Sequence, residues 1–300
     1  MIEVKDIVKK FGNTAALDGL SFTVPDGGIY GIVGSNGAGK STLLRVMCGI
    51  YKPDRGQVLY DGKNVWEDPA VKSRFAFVPD EPFFDGGVSL KRMALTYGSL
   101  FPRFDARLCA DLAGDLGLDM KKPISTYSKG MKRQAAVILA VASRPDYYVF
   151  DETFDGLDPV MRYRVKTIVS ADTAERGATA VLTSHSLREL EDVCDHLAML
   201  HRGTLVLDSD VGSLKTSLFK IQIAYKDDYG ADRFSGIDVI DLEKRGSVTN
   251  MIVRGDRDAV SAKLYATEPI LCEILPLSLE EVFTYELDAL GYGQRTEEER

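Results

Sequence analysis

The sequence predicts an α/β fold, and three observations predict it. Short apolar runs at residues 29–33, 147–150, 178–183 and 197–200 read as buried strands. The first of them feeds a glycine-rich turn, followed by Leu43, Leu44, Val46 and Met47 at helical spacing. From about residue 89 to 142 strand signals stop and helical patterns take over, notably at 107–116 and 131–141, so that stretch reads as an insertion within the α/β unit.

The remaining elements follow in order. Residues 2–7 alternate apolar and polar, as a half-exposed strand does. A second strand at about 20–24 ends at the turn signal Pro25-Asp26-Gly27-Gly28. Residues 58–62 look like a hairpin end and 75–78 like another strand, while Arg202-Gly203 turns the chain into 204–207. Beyond about residue 216 come strand candidates at 218–224, 237–242, 247–254 and 269–275, then a short helical pattern at 278–287. The expected division is therefore 1–215 and an accessory region, 216–300, whose charged end at 296–300 should fray.

Composition narrows the function. The net charge of −8 argues against a nucleic-acid partner, since phosphate backbones are held by clustered Lys and Arg. Cys48, Cys109, Cys194 and Cys272 form no CxxC pair and read as small buried hydrophobes in a reducing compartment. Met1 leads into a charged, alternating segment rather than a secretory signal. The longest apolar run, 135–142, falls far short of the roughly 20 residues that span a bilayer. A membrane role must then come through a partner.

Gly34-Ser35-Asn36-Gly37-Ala38-Gly39-Lys40-Ser41-Thr42 fits G-x-x-x-x-G-K-[ST] in full, between a strand and a helix. In such a loop successive backbone N–H groups turn inward as an anion nest, and the helix N-terminus adds about half a positive charge. Lys40 is placed to reach the β- and γ-phosphates of ATP, and the Ser41 hydroxyl to bind Mg²⁺. Downstream, the apolar strand at 147–150 ends in Asp151-Glu152. Strand ends of a parallel sheet are where ligands of open α/β folds collect. Asp151 suits Mg²⁺ and Glu152 suits the polarisation of an attacking water. An apolar run ending in Asp-Glu is weak evidence alone; with the phosphate loop upstream it becomes strong.

With these residues in place, 2–208 resembles the ATP-binding cassette (ABC) ATPases, the nucleotide-binding subunits of ABC transporters, in their bacterial export form. Tyr127-Ser128-Lys129-Gly130-Met131 corresponds to the family's signature sequence, Asp155-Gly156-Leu157-Asp158 to the loop that crosses the dimer, and His185 to the switch histidine. Phe11 stands where the family stacks an aromatic ring on adenine. The resemblance implies a P-loop NTPase (RecA-like) core with an N-terminal antiparallel β subdomain. It also implies an inserted α-helical subdomain at about 89–145 and a small α+β C-terminal extension. Two subunits, identical or different, would face head to tail, with Ser128, the Gly130 N–H and Asp158 meeting the partner's ATP. His185 would bond the γ-phosphate and Glu152 activate the water. An integral membrane subunit would hold the pair at the cytoplasmic face of the membrane. The ending Leu277-Ser278-Leu279-Glu280-Glu281-Val282-Phe283 resembles those of drug, peptide or polysaccharide export systems.

Two positions depart from the family pattern. Lys129-Gly130-Met131 stands where Gly-Gly-Gln is usual, and Lys129, Lys132 and Arg133 crowd a helix start. Cations there are disfavoured by roughly 0.3–1 kcal/mol each. The cluster is expected to face either the partner's triphosphate or plain solvent. Asp80 stands where the family carries a glutamine, which makes it a candidate Mg²⁺ ligand or a source of repulsion. The following Glu81-Pro82-Phe83-Phe84 is expected either to receive a helix of the membrane subunit or to pack within its loop. Tyr51, Tyr60 and Tyr97 read as packing residues. The rival functions are a soluble cassette ATPase acting on ribosomes or DNA, and a nucleotide-sensing regulatory subunit. No guanine-reading [NT]KxD motif is present.

Overall fold

The computed structural model describes residues 1–289. The chain divides after Asp208 into two compact units.

The first unit opens with β1 (Ile2–Phe11), β2 (Thr14–Val24), β3 (Gly28–Val33), α1 (Lys40–Met47), β4 (Arg55–Tyr60) and β5 (Lys63–Asn64). Strands β2-β1-β4-β5 make an antiparallel sheet in that order. The alternation of β1 turns Ile2 and Val4 inward onto a core shared with Leu43 and Leu44 of α1. Next come α2 (Pro69–Lys72), β6 (Phe75–Val78), α3 (Leu90–Leu100), α4 (Ala106–Asp115), α5 (Lys129–Ala142) and β7 (Tyr147–Phe150). The unit closes with α6 (Pro159–Arg176), β8 (Thr179–Ser184), α7 (Leu187–Glu191), β9 (His196–His201) and β10 (Thr204–Asp210), the last strand running two residues past the division.

A second sheet runs β10-β9-β3-β8-β7-β6, with parallel pairing from β9 through β6. Strands β7 and β8 are buried along their whole length. That explains the apolar runs at 147–150 and 180–182, since a parallel sheet is covered on both faces. The order puts β3 between β8 and β9, so the residues after β3, β6, β7 and β8 gather along one edge. These are the phosphate loop, Asp80, Asp151-Glu152 and His185. Within β3, a Cβ on Gly31 would come within 2.6 Å of Leu197, 2.8 Å of Cys194 and 3.1 Å of Leu190. The bare backbone at this point leaves room for those three side-chain ends.

Helix α6 is not among the helices that apolar spacing predicts. It buries a narrow stripe including Val165 and Val169, and most of its turns are polar. Its boundary signals are nonetheless complete: Asp158 caps the Val160 and Met161 N–H groups, Pro159 opens it, and Gly177 ends it at φ 63°.

The second unit comprises α8 (Val211–Ser217), β11 (Leu218–Ala224), β12 (Asp238–Arg245), β13 (Val248–Arg254), α9 (Arg257–Tyr265), β14 (Leu271–Pro276) and α10 (Leu279–Ala289). Its sheet, β12-β13-β11-β14, is antiparallel throughout. Ile221, Ile223, Met251, Val253 and Leu264 form its core. The four strands and final helix match the sequence expectation; α9, with its weak apolar periodicity, is an addition. Glu281 and Ser278 exchange hydrogen bonds in a capping box that starts α10. The expected frayed end at 296–300 lies outside the described residues. Among the described residues no helix is long and apolar enough to cross a membrane. All four cysteines are free thiols, three of them buried.

Candidate functional site

The loop after β3 is shaped by its glycines. A Cβ on Gly34 would lie 2.5 Å from the Leu200 carbonyl oxygen, and Gly39 holds φ 107° with Ala16 O only 2.6 Å from a Cβ position. Side chains at either place would force the loop off the sheet. Ser35, Asn36 and Gly37 form its exposed lip, while Ala38 is buried and Thr42 half-buried in the helix behind. Lys40 is 4% exposed, and its Nζ donates to Gly34 O at 2.6 Å and Ser35 O at 3.3 Å.

Lys40 also lies 3.0 Å from Glu152 Oε1. Ser41 Oγ donates to Asp151 Oδ1 at 3.0 Å, and the Thr183 hydroxyl lies 3.0 Å from the same oxygen. The Glu152 N–H donates to Thr183 Oγ1 at 3.0 Å, so Thr183 of β8 ties down both carboxylate residues of the neighbouring strand end. Glu152 itself adopts φ 44°, a left-handed backbone unusual for a non-glycine residue. Such strain costs about 1–3 kcal/mol and is held by its surroundings. Here the Thr183 bond and the Lys40 ion pair hold it.

Asp151 Oδ2 is buried and has no hydrogen-bond partner among the described residues. Burial raises the carboxyl pKa of Asp151 despite the Ser41 and Thr183 hydroxyls. A buried carboxylate oxygen without a partner, next to a serine hydroxyl, is the donor set a hard divalent cation takes.

His185 sits at the end of β8, with Nδ1 2.9 Å from Asp155 Oδ2 and 3.8 Å from Glu152 Oε2. The ring is half exposed, and with Nδ1 turned toward the Asp155 carboxylate, Nε2 is the nitrogen left to meet a ligand. Behind it, Ser184 Oγ donates to Glu189 Oε2 at 2.9 Å, and Arg162 Nη1 pairs with Glu189 Oε1 at 3.0 Å. Burial, then the Glu189 carboxylate, push Asp155 up to about 8. Burial also works to raise Glu189, but hydrogen bonds from Asp155 and Ser184 outweigh it and hold that carboxyl low. The pair thus shares one proton, carried on Asp155.

This sharing gives a pH prediction. A carboxyl raised in the folded state contributes stability that is full below its unfolded value of about 4 and is lost as pH rises through about 8. The depressed Glu189 acts only below its ordinary range, so the window from pH 5 to about 9 belongs to Asp155. Asp155→Asn keeps a donor toward Glu189. Its melting temperature is expected to gain on the wild type steadily across that window. Parallel melting curves at every pH would contradict the shared proton.

Asp80 does not join Ser41 and Asp151. Its carboxylate pairs with Arg133, which also donates to the Asp80 carbonyl at 3.1 and 3.2 Å. Arg133 is 3% exposed, and a buried guanidinium demands a counter-charge. The basic cluster expected at the start of α5 is therefore divided: Arg133 turns inward, and Lys129 stays exposed, 3.8 Å from Glu81. Asp80→Gln leaves both carbonyl bonds to Arg133 intact. ATPase activity is expected to stay within about tenfold, a barrier change of roughly 1.4 kcal/mol; a far larger loss in steady-state assays would give the carboxylate a catalytic task.

Ser128 caps α5 by accepting from Met131 N at 3.2 Å. Gly130 lies against the 155–158 loop, where a Cβ would be 3.6 Å from Leu157 Cδ2. Asp158 caps α6. Phe11 is 48% exposed and meets Tyr51 edge-on at 5.5 Å. None of these contacts is with Lys40, Ser41, Asp151 or Glu152. Tyr60 is fully buried and Tyr97 packs on Phe101. Sequence reasoning misses Thr183 and Glu189 as site residues; their signal was position alone, one residue before Ser184-His185 and four after His185.

A nucleotide loop after β3, a hydroxyl–carboxylate pair at Ser41 and Asp151, and Glu152 facing Lys40 define a P-loop nucleoside triphosphatase. Comparison with known proteins narrows this. The family model described as ABC transporter matches residues 17–155. The ABC transporter ATP-binding protein YtrB of Bacillus subtilis (strain 168) is 30% identical over 285 residues, covering 94% of this chain and 97% of that protein. The daunorubicin/doxorubicin resistance ATP-binding protein DrrA of Streptomyces peucetius is 34% identical, covering 72% of this chain and 67% of that protein. A solved ATP-binding subunit of an ABC transporter superposes with a TM-score of 0.67 at 26% identity, over 72% of this chain and 92% of the other. The chain belongs to the ATP-binding proteins of ABC transporters. It binds and hydrolyses ATP.

Proposed function

We propose that this chain energises a membrane exporter as one half of a dimer that clamps ATP between the phosphate loop of one subunit and Ser128–Gly130 of the other. The observation that carries the reading is the convergence of Lys40, Ser41, Asp151, Glu152 and His185 on one sheet edge. On the same chain, Ser128, Gly130 and Asp158 make a second group at the starts of α5 and α6.

In this reading Glu152 takes a proton from water as the water oxygen bonds the γ-phosphorus and the bond to the β–γ bridging oxygen breaks, releasing ADP and phosphate. Lys40 offsets charge on the phosphates, and His185, steadied through Nδ1 by Asp155, holds the γ-phosphate. Ser41 and Asp151 hold Mg²⁺, which when bound supplies further positive charge to the phosphate oxygens. Asp80, engaged by Arg133, acts on this centre only through its charge.

Export is supported by relatives named for daunorubicin/doxorubicin resistance, bacitracin transport and lantibiotic transport. A cavity of about 250 Å³ beside α3 is lined by Pro82, Phe83, Phe84, Met93, Tyr97 and Phe101, with Phe83 85% exposed. This groove is the proposed seat of a helix from the membrane subunit, which would keep the chain at the cytoplasmic face.

The test uses Glu152→Gln to stall hydrolysis. With Mg²⁺ and ATP, that variant is expected to pass from monomer to dimer on size exclusion. Lys129→Ala in the same background is expected to weaken the dimer more at low salt than at high, because its charge is exposed. ATP-bound protein that stays monomeric would overturn the clamp.

A further inference from the structure

A cavity of about 810 Å³ runs along α6 against residues 186–193, and a second of about 480 Å³ shares Ser170, Asp192 and Val193 with it. Together they form one groove behind the nucleotide site. Pro159, Tyr163, Ala171 and Val193 supply apolar walls. Lys166 lines the cavity, is only 9% exposed, and makes no hydrogen bond or close ion pair among the described residues. Glu189 and Asp192 act on it only through space, and burial pulls its pKa down. One turn earlier, Arg162 spends Nη1 on Glu189 and Nη2 on the Leu157 carbonyl, while its buried Nε has no partner among the described residues. Toward the other end the buried Thr173 hydroxyl is likewise unpartnered.

A buried ammonium with no hydrogen bond or close ion pair, offset only through space by Glu189 and Asp192, is costly, and an anion seated directly on it lowers that cost. The lining carboxylates Glu189 and Asp192 disfavour a dianion, and the apolar walls favour a hydrocarbon body. We propose that this groove binds a small organic monocarboxylate with an apolar body, seated on Lys166, and that Glu189 reports its presence to the nucleotide site. Glu189 bonds Ser184, shares a proton with Asp155, and through Asp155 reaches His185. A carboxylate drawing on Lys166 or Arg162 loosens their hold on Glu189 and so shifts that proton. The coupling rests on the assigned roles of His185 and Glu152; the binding does not.

Equilibrium dialysis of the full chain against naphthoate, its neutral amide and inorganic phosphate tests the site. Naphthoate is expected to bind saturably, at least about tenfold tighter than the amide or phosphate. Lys166→Met should lose about tenfold in naphthoate affinity while melting a few degrees higher, because an unpaired buried charge is gone. Saturating naphthoate should change the kcat of wild-type ATP hydrolysis but not that of Lys166→Met. Equal binding of acid and amide, phosphate binding as tight as naphthoate, or unchanged affinity in a folded Lys166→Met would overturn the site. Binding with no change in kcat would overturn the coupling. Should Lys166→Met fail to fold, the acid–amide comparison on the native chain decides.

Discussion

Replacing Glu152 by Gln is expected to slow ATP hydrolysis by at least about 10²-fold, the low end for a positioned general base, while ATP binding persists. The side chain faces Lys40 at 3.0 Å and lies 3.8 Å from His185 Nδ1, so its charge stands between the two groups assigned to the phosphates. Gln keeps the size of Glu and the Thr183-held backbone but cannot accept a proton at neutral pH. The relevant comparison is single-turnover hydrolysis beside equilibrium ATP binding. Retained turnover would remove Glu152 from its role.

The second large effect is expected at Lys40. Lys40→Ala should weaken ATP binding by about 10²-fold, since hydrogen bonds to charged groups contribute about 1.5–3 kcal/mol and this ammonium is buried. Ala also strips Glu152 of its ion pair, leaving a half-buried carboxylate in a strained backbone. The two substitutions should therefore separate cleanly in one titration: Glu152→Gln binds and stalls, while Lys40→Ala binds about 10²-fold more weakly. Wild-type affinity in Lys40→Ala would dismiss the phosphate loop as the nucleotide site.

Much of this molecule was legible in its sequence, because strands and loops of a parallel sheet carry local signals. The run at 147–150 and the glycine pattern at 34–39 needed no tertiary information. Asp80 shows where such reading stops. Its place after β6 was visible, but its carboxylate belongs to Arg133, 53 residues away, and no periodicity reveals that pairing. Thr183 escaped for the same reason: its hydroxyl serves Asp151 and Glu152 across a strand pairing, and locally it is one more β-branched residue. Helix α6 escaped because its narrow apolar stripe left only its boundary residues, Asp158, Pro159 and Gly177, as signals.

Gly31 links the two halves of the chemistry mechanically. At that point the strand that launches the phosphate loop presents bare main chain to the side-chain ends of Leu190, Cys194 and Leu197. Those three side chains occupy the space a Cβ would take, so β3 and the stretch beginning next to Glu189 are packed directly on one another. Even one methyl group at position 31 would have to displace all three of those side-chain ends at once.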